Sequence, residues 1–167
     1  MRQRCTAARA CALLALVLCA CGAEPESSSA QRVVLGTGEA RFEHIEGQPE
    51  LPLVAGAQGG FHVWASFLAY GFDTAAIDLT LTTRVDGAGE ELVMRARLST
   101  REVLDANGIP SRSFAGFPAQ VRDARCAHGQ RISLQLHVAA PDGSASASDE
   151  RECIALLEPE FQLSECP

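Results

Sequence analysis

Lysine is absent from the 167 residues, and all fourteen basic side chains are Arg. Twenty-one Asp and Glu outnumber them, giving a formal charge of −7. An acidic surface repels phosphate backbones, so no nucleic acid is expected as a partner. It equally disfavours lying flat on anionic lipid. Aromatic residues are few, with one Trp and one Tyr. No Cys occurs between Cys21 and Cys126. No apolar run approaches the ~20 residues that a membrane-spanning helix needs. Catalytic signatures are missing as well. There is no Gly-x-Ser-x-Gly elbow, no His-Glu-x-x-His and no Cys-x-x-Cys. Gly36-Thr37-Gly38 lacks the third glycine that would cradle a pyrophosphate. With no nucleophile–base pair in view, neither an enzyme nor a bound cofactor is expected.

The longest apolar stretch beyond the first twenty residues runs from Gly56 to Tyr70 and contains both Trp64 and Tyr70. Alternate residues of a strand point to opposite faces. Phe61, Val63, Ala65, Phe67 and Ala69 would line one face, and His62, Trp64, Ser66, Leu68 and Tyr70 the other. Both rows are largely apolar, which predicts a central strand covered on both sides. Gly59 and Gly60 before it would serve a bulge or sharp turn into the strand.

Around this stretch the chain alternates between short strands and turns. Leu51 to Val54 contains Pro52 and reads as an edge strand. Ile77, Leu79, Leu81, Thr83 and Val85 alternate with polar residues, and Asp86-Gly87-Ala88-Gly89 turns the chain into Leu92, Met94, Ala96 and Leu98. Thr100 to Leu104 reads as one helical turn, and Ser111 to Val121 as an irregular strand because of Gly116 and Pro118. Ile132 to Val138 pairs through Pro141-Asp142-Gly143 with Ala145 to Leu157, in a register that sets Cys153 opposite Gln130. No segment sustains a helical period. The pattern predicts an all-β antiparallel sandwich of about seven or eight strands over residues 33–158, with a tail at 159–167. It is similar in architecture to an immunoglobulin-like module, with Trp64 in the place of that fold's central tryptophan. The inter-sheet disulfide of true immunoglobulin domains has no counterpart here. A small β-barrel is the alternative.

The first twenty residues have a different character. Arg2, Arg4 and Arg9 precede the apolar run Ala10–Ala20, the arrangement of a cleaved export signal. Leu18-Cys19-Ala20-Cys21 resembles the lipobox of bacterial lipoproteins. Ala20 would sit at the cut site and Cys21 would receive lipid, whereas Cys19 fits badly because Leu18 would fall at the small-residue position. The resemblance implies an acylated Cys21, and each buried methylene would contribute ~0.8 kcal/mol to the anchor. Gly22 in place of Asp implies sorting to the outer membrane by the rule of enteric bacteria. Loss of residues 1–20 would take the charge to −10, with 11 Arg against 21 carboxylates. Residues 21–32 read as a flexible tether, reaching on the order of 20 Å over ten residues. A second resemblance rests on Leu35-Gly36-Thr37-Gly38, Phe42, Gly47 and Gln58-Gly59-Gly60-Phe61-His62-Val63-Trp64. Together these are similar to a group of uncharacterised bacterial lipoproteins with a Gly-Gln-Gly-Gly-x-His segment; here Ala57 separates Gly56 from Gln58. It implies an extracytoplasmic β domain and no particular chemistry.

The candidate site residues follow. The exported setting favours disulfides among Cys126, Cys153 and Cys166. Cys126–Cys153, stapling the last hairpin, would contribute roughly 3–4 kcal/mol, although Cys166 could reach either partner. His62 shares a face with Trp64 and is read as a core histidine, with ligand binding as the sharper alternative. Gln58 is its neighbour in a binding reading. A copper-type site would join His62 to another His or to Met94. Cys126-x-His128 supplies only two metal ligands. His44 and His137 read as surface residues. Loops at the ends of a sandwich carry recognition, which marks Gln58–Gly60 and Asp105–Ser113 as contact regions. The expectation is a lipid-anchored binding or structural module of the cell envelope, with the membrane and an envelope protein as partners.

Overall fold

A computed structural model describes residues 30–56, 60–89 and 91–158. The elements are β1 (Arg32–Thr37), β2 (Glu43–His44), β3 (Glu50–Ala55), β4 (Phe61–Tyr70), β5 (Ala76–Val85), β6 (Glu91–Ser99), β7 (Arg101–Leu104), β8 (Pro110–Val121), the one-turn helix α1 (Ala124–Ala127), β9 (Arg131–Ala139) and β10 (Ser146–Leu157). The fold is all-β. Its strands form one curled, mixed sheet in the order β2-β1-β4-β3-β10-β9-β5-β6, with β8 on the other side of β4 and β7 beyond β8.

The central role of β4 holds. Each of its ten residues has a ladder partner on β8, β1 or β3, and eight of the ten are buried. Val63, Ala65, Phe67 and Ala69 enter the main core together with Leu35, Ile77, Leu79, Leu81, Leu134, Leu136 and Val138. A fully buried side chain of this size contributes ~1.5–3 kcal/mol. Trp64 points the other way. It is half-buried and lies outside the core cluster, so it does not occupy the place of a central core tryptophan.

Four local expectations are corrected. Leu51–Val54 is not an edge. Strand β3 joins the two walls of the curl, running parallel to β10 through Glu50–Leu53 and antiparallel to β4 through Val54 and Ala55. Pro52 is tolerated because a parallel ladder uses alternate amides and β4 pairs only beyond it. That parallel pair also breaks the antiparallel pattern. The seven or eight strands expected become ten among the described residues, joined in one sheet rather than split between two.

Residues Arg101–Leu104 are strand, not helical turn, because β8 supplies a ladder partner for each of them. The Asp105 carboxylate caps the connecting turn, accepting from the backbone N–H of Asn107 at 2.8 Å and of Ile109 at 2.9 Å. The last hairpin turns one residue later than expected, so Cys153 pairs with Ile132 and not with Gln130. The irregularity expected in 111–121 is a bulge. Ala115 and Gly116 together oppose Ser66, and Gly116 takes φ +79°.

One side chain closes the curl where no ladder does. The backbone N–H of Leu35 on β1 donates to Asp149 Oδ2 on β10 at 2.8 Å. Arg151 holds the same carboxylate oxygen at 2.9 Å.

Candidate functional site

The face of β4 opposite the core carries the residue singled out as the sharpest candidate. His62 is buried, and its Nε2 has no hydrogen-bond partner among the described residues. Its ring meets Trp64 edge-on, with centroids 4.2 Å apart and planes at 74°. Burial lowers its pKa below the ordinary 6.5, and the nearby Glu39 carboxylate opposes that shift. Further along the face, Thr37 Oγ1 donates to the Trp64 carbonyl at 2.8 Å, and the Ser66 hydroxyl donates to the Thr37 carbonyl. The segment after β1 folds close over this face. Gly116 N–H donates to the Gly38 carbonyl at 3.1 Å, and a Cβ on Gly116 would lie 2.5 Å from the Glu39 carbonyl oxygen.

Sequence expectations divide at this face. Gly60 takes φ +85° and its carbonyl accepts from Gly56 N–H at 2.9 Å, which closes the turn into β4. Gln58 and Gly59 lie outside the described residues, as do Cys21 and Cys166, the export signal, residues 22–29 of the tether and the tail. Met94 sits on β6 opposite Leu81 and packs against the core. It has no ladder connection to His62. His128 Nδ1 accepts from the Leu157 N–H at 3.0 Å, so it serves the backbone. His137 bonds Ser148 Oγ at 3.0 Å and His44 lies edge-on to Phe42 at 4.7 Å, both near the surface. No group of three or more His, Cys, Asp or Glu able to hold a metal exists among the described residues.

The favoured Cys126–Cys153 pairing is not formed. Cys153 is a free thiol, fully buried in the core, and burial pushes its pKa up to about 11. The physical reason is the hairpin register. It sets position 153 opposite Ile132, facing into the core cluster.

A second region was not anticipated. Where β5 turns into β6 and β8 runs into α1, a cleft of about 550 Å³ opens. Thr83, Val85, Leu92 and Val121 form its walls, and Arg122 and Arg125 stand at its rim, with Cys126 also lining it. Thr83 Oγ1 is buried here without a hydrogen-bond partner. Asp123 caps α1 by accepting from Arg125 N–H at 3.0 Å, and it also holds the Arg125 guanidinium at 2.7 Å. That guanidinium keeps the Asp123 carboxyl down at about 2. One signal was present in the sequence: Thr83 is the single hydroxyl in the inward row Ile77, Leu79, Leu81, Thr83, Val85.

The Asp105–Ser113 segment and Gly60, the one described residue of the Gln58–Gly60 region, fall at opposite ends of the fold. The Asp105–Ser113 segment lies at the end where the chain enters. There Tyr70 OH donates to Asp105 Oδ2 at 3.0 Å, and the Arg32 guanidinium sits 3.6 Å from the Tyr70 ring centroid. Gln31 is tied to the same end, donating to the Ser144 carbonyl at 3.3 Å and accepting from Ser146 N–H at 3.2 Å. Leu104 and Ile109 are exposed apolar residues of this hairpin. Gly60 and the cleft lie at the other end, a strand's length away; the ten residues of β5 span ~30 Å. No protein-family model matches this chain, and no characterised protein matches it in sequence.

Proposed function

We propose that this chain is a lipid-anchored binding module of the cell envelope, tethered through an acylated Cys21 at the outer membrane and offering its far end to an envelope protein. The observation that carries the reading is the polarity of the domain. The chain enters beside Ser144 and Ser146, while the cleft and the β5–β6 turn lie at the opposite end of β5. A tether of about ten residues would hold the entry end toward the lipid and leave the cleft end facing outward. The two walls of the curl act as the halves of an immunoglobulin-like sandwich in this reading, with recognition on the end loops.

Two measurements test it. Mass spectrometry of the N-terminus of membrane-extracted protein should find acyl chains on Cys21. A photo-crosslinking residue at Ala88, on the β5–β6 turn, should give a defined adduct in intact envelopes, and one at Ser144 should not. Adducts of equal yield from both ends would remove the polarity argument. The copper-type alternative keeps one observation, the unpartnered Nε2 of buried His62. Copper titration of the folded protein with and without His62→Ala discriminates it, since a metal site loses its stoichiometric binding in the variant.

A further inference from the structure

We infer that the tip of the β7–β8 hairpin is a second membrane contact, dipping its exposed apolar side chains into the lipid surface to which the chain is tethered. The inference rests on the proposed anchoring through Cys21 and adds to it a lipid-facing site on the domain itself. Among the described residues, the large apolar side chains that are exposed are Val93, Leu104 and Ile109. Two of these three flank one turn, and Leu104, at 68% exposure, is the barest of them. Ala106 and Pro110 of the same tip are exposed as well.

The turn suits a medium of low polarity. In lipid a backbone N–H finds no water and must be satisfied by the protein. Asp105 N–H donates to the Ile109 carbonyl at 3.0 Å, and Gly108 N–H to the Asp105 carbonyl at 2.9 Å. The N–H groups of Asn107 and Ile109 go to the Asp105 carboxylate. That carboxylate is the only ionisable group between Glu102 and Arg112. It is engaged inside the fold, since it also accepts from Tyr70 OH at 3.0 Å.

Position decides what the tip meets. Arg32, the first residue of β1, lies over the ring of Tyr70, whose hydroxyl reaches Asp105. The tip is thus one side chain away from the point where the chain enters the fold. Cys21 lies eleven residues before Arg32, and a flexible segment of that length spans about 20 Å. Tethering keeps the tip at high local concentration beside the lipid, so a small apolar contact is enough. A chain of net charge −7 offers anionic headgroups no general attraction. The contact is therefore apolar and insensitive to salt.

The test uses the full chain, extracted from envelopes and reconstituted into vesicles of phosphatidylethanolamine and phosphatidylglycerol. The vesicles carry a phosphatidylcholine with a diazirine halfway along one acyl chain. After irradiation, a tryptic digest is read by mass spectrometry. Peptide 102–112 holds the tip. Peptide 85–95 is the internal control, because Val93 at 44% exposure matches Ile109 at 45% but lies toward the far end, opposite Thr82. Expected are lipid adducts several-fold more abundant in 102–112 than in 85–95, at low and high salt alike. In the Leu104→Ser/Ile109→Ser variant, labelling of 102–112 should fall to the level of the control. Equal labelling of the two peptides, labelling lost at high salt, or labelling unchanged in the variant overturns the proposal. The same digest reports acylation of Cys21. An unacylated Cys21 with a labelled tip removes the anchor and leaves the tip contact standing, whereas an acylated Cys21 with an unlabelled tip does the reverse.

Discussion

His62 presents its imidazole to the edge of the Trp64 indole, two residues along the same face of β4, at a centroid distance of 4.2 Å. The contact leaves Nε2 buried and without a partner, and burial holds the ring neutral. The folded-state pKa lies below the ordinary 6.5. Between those two values the unfolded chain binds more protons than the folded one, so stability falls as the pH drops below about 6.5. Thermal midpoints measured from pH 8 to 5 should stay level at first and then decline, and His62→Gln should remove part of that decline. An identical profile in the variant would mean that other groups carry the acid sensitivity.

Trp64 itself is only half-buried, on the face away from the core. Full burial of a Trp would make truncation to Ala cost ~3–5 kcal/mol. For Trp64→Ala we expect about 2 kcal/mol, from lost contact with His62 and partial burial. Urea unfolding measures it. A cost above about 4 kcal/mol would show that the ring is part of the core after all.

Gly116 combines φ +79° with a carbonyl oxygen of Glu39 where a Cβ would stand. Alanine there meets both a left-handed backbone and a steric clash, worth together about 2–4 kcal/mol. Gly143 also has a positive φ but open space around it, so Gly143→Ala should cost only about 1–2 kcal/mol. The difference between the two variants isolates the clash, and equal losses would argue against the close approach of the 38–42 segment.

The Thr83 hydroxyl is buried without a partner at the cleft wall. Replacing it by a methyl removes an unmet hydrogen bond at little cost in shape. Thr83→Val should stabilise the fold by about 1–2 kcal/mol. The measurement is the urea midpoint at unchanged slope. A lower midpoint would show that the hydroxyl is hydrogen-bonded in solution.

Legibility differed from element to element. The inward rows of β5 and β9 could be read directly, because a strand with one buried face writes that face into every second residue. The two rows of β4 were equally readable, and so was the turn at Gly60. Pro52 misled, since a proline says only that one amide is not needed and not which neighbour stands beside it. Residues 101–104 misled for a related reason: four residues carry too little pattern to outweigh a strand partner supplied from 110–113. The sequence marks Cys153 as a disulfide candidate because it shows the residue type and not where the side chain points. A shift of one residue in the centre of the hairpin moved its partner from Gln130 to Ile132.

By itself the sequence determined the β class, the central place of residues 61–70 and the unlikeness of the first twenty residues to all the rest. These are matters of periodicity and composition, set by neighbours along the chain. Only the tertiary structure decided that β3 bridges two walls, that Cys153 is sealed in the core and that a cleft opens beyond Thr83. Each of those depends on which strands lie side by side, and a two-residue repeat names a face without naming the neighbour across it.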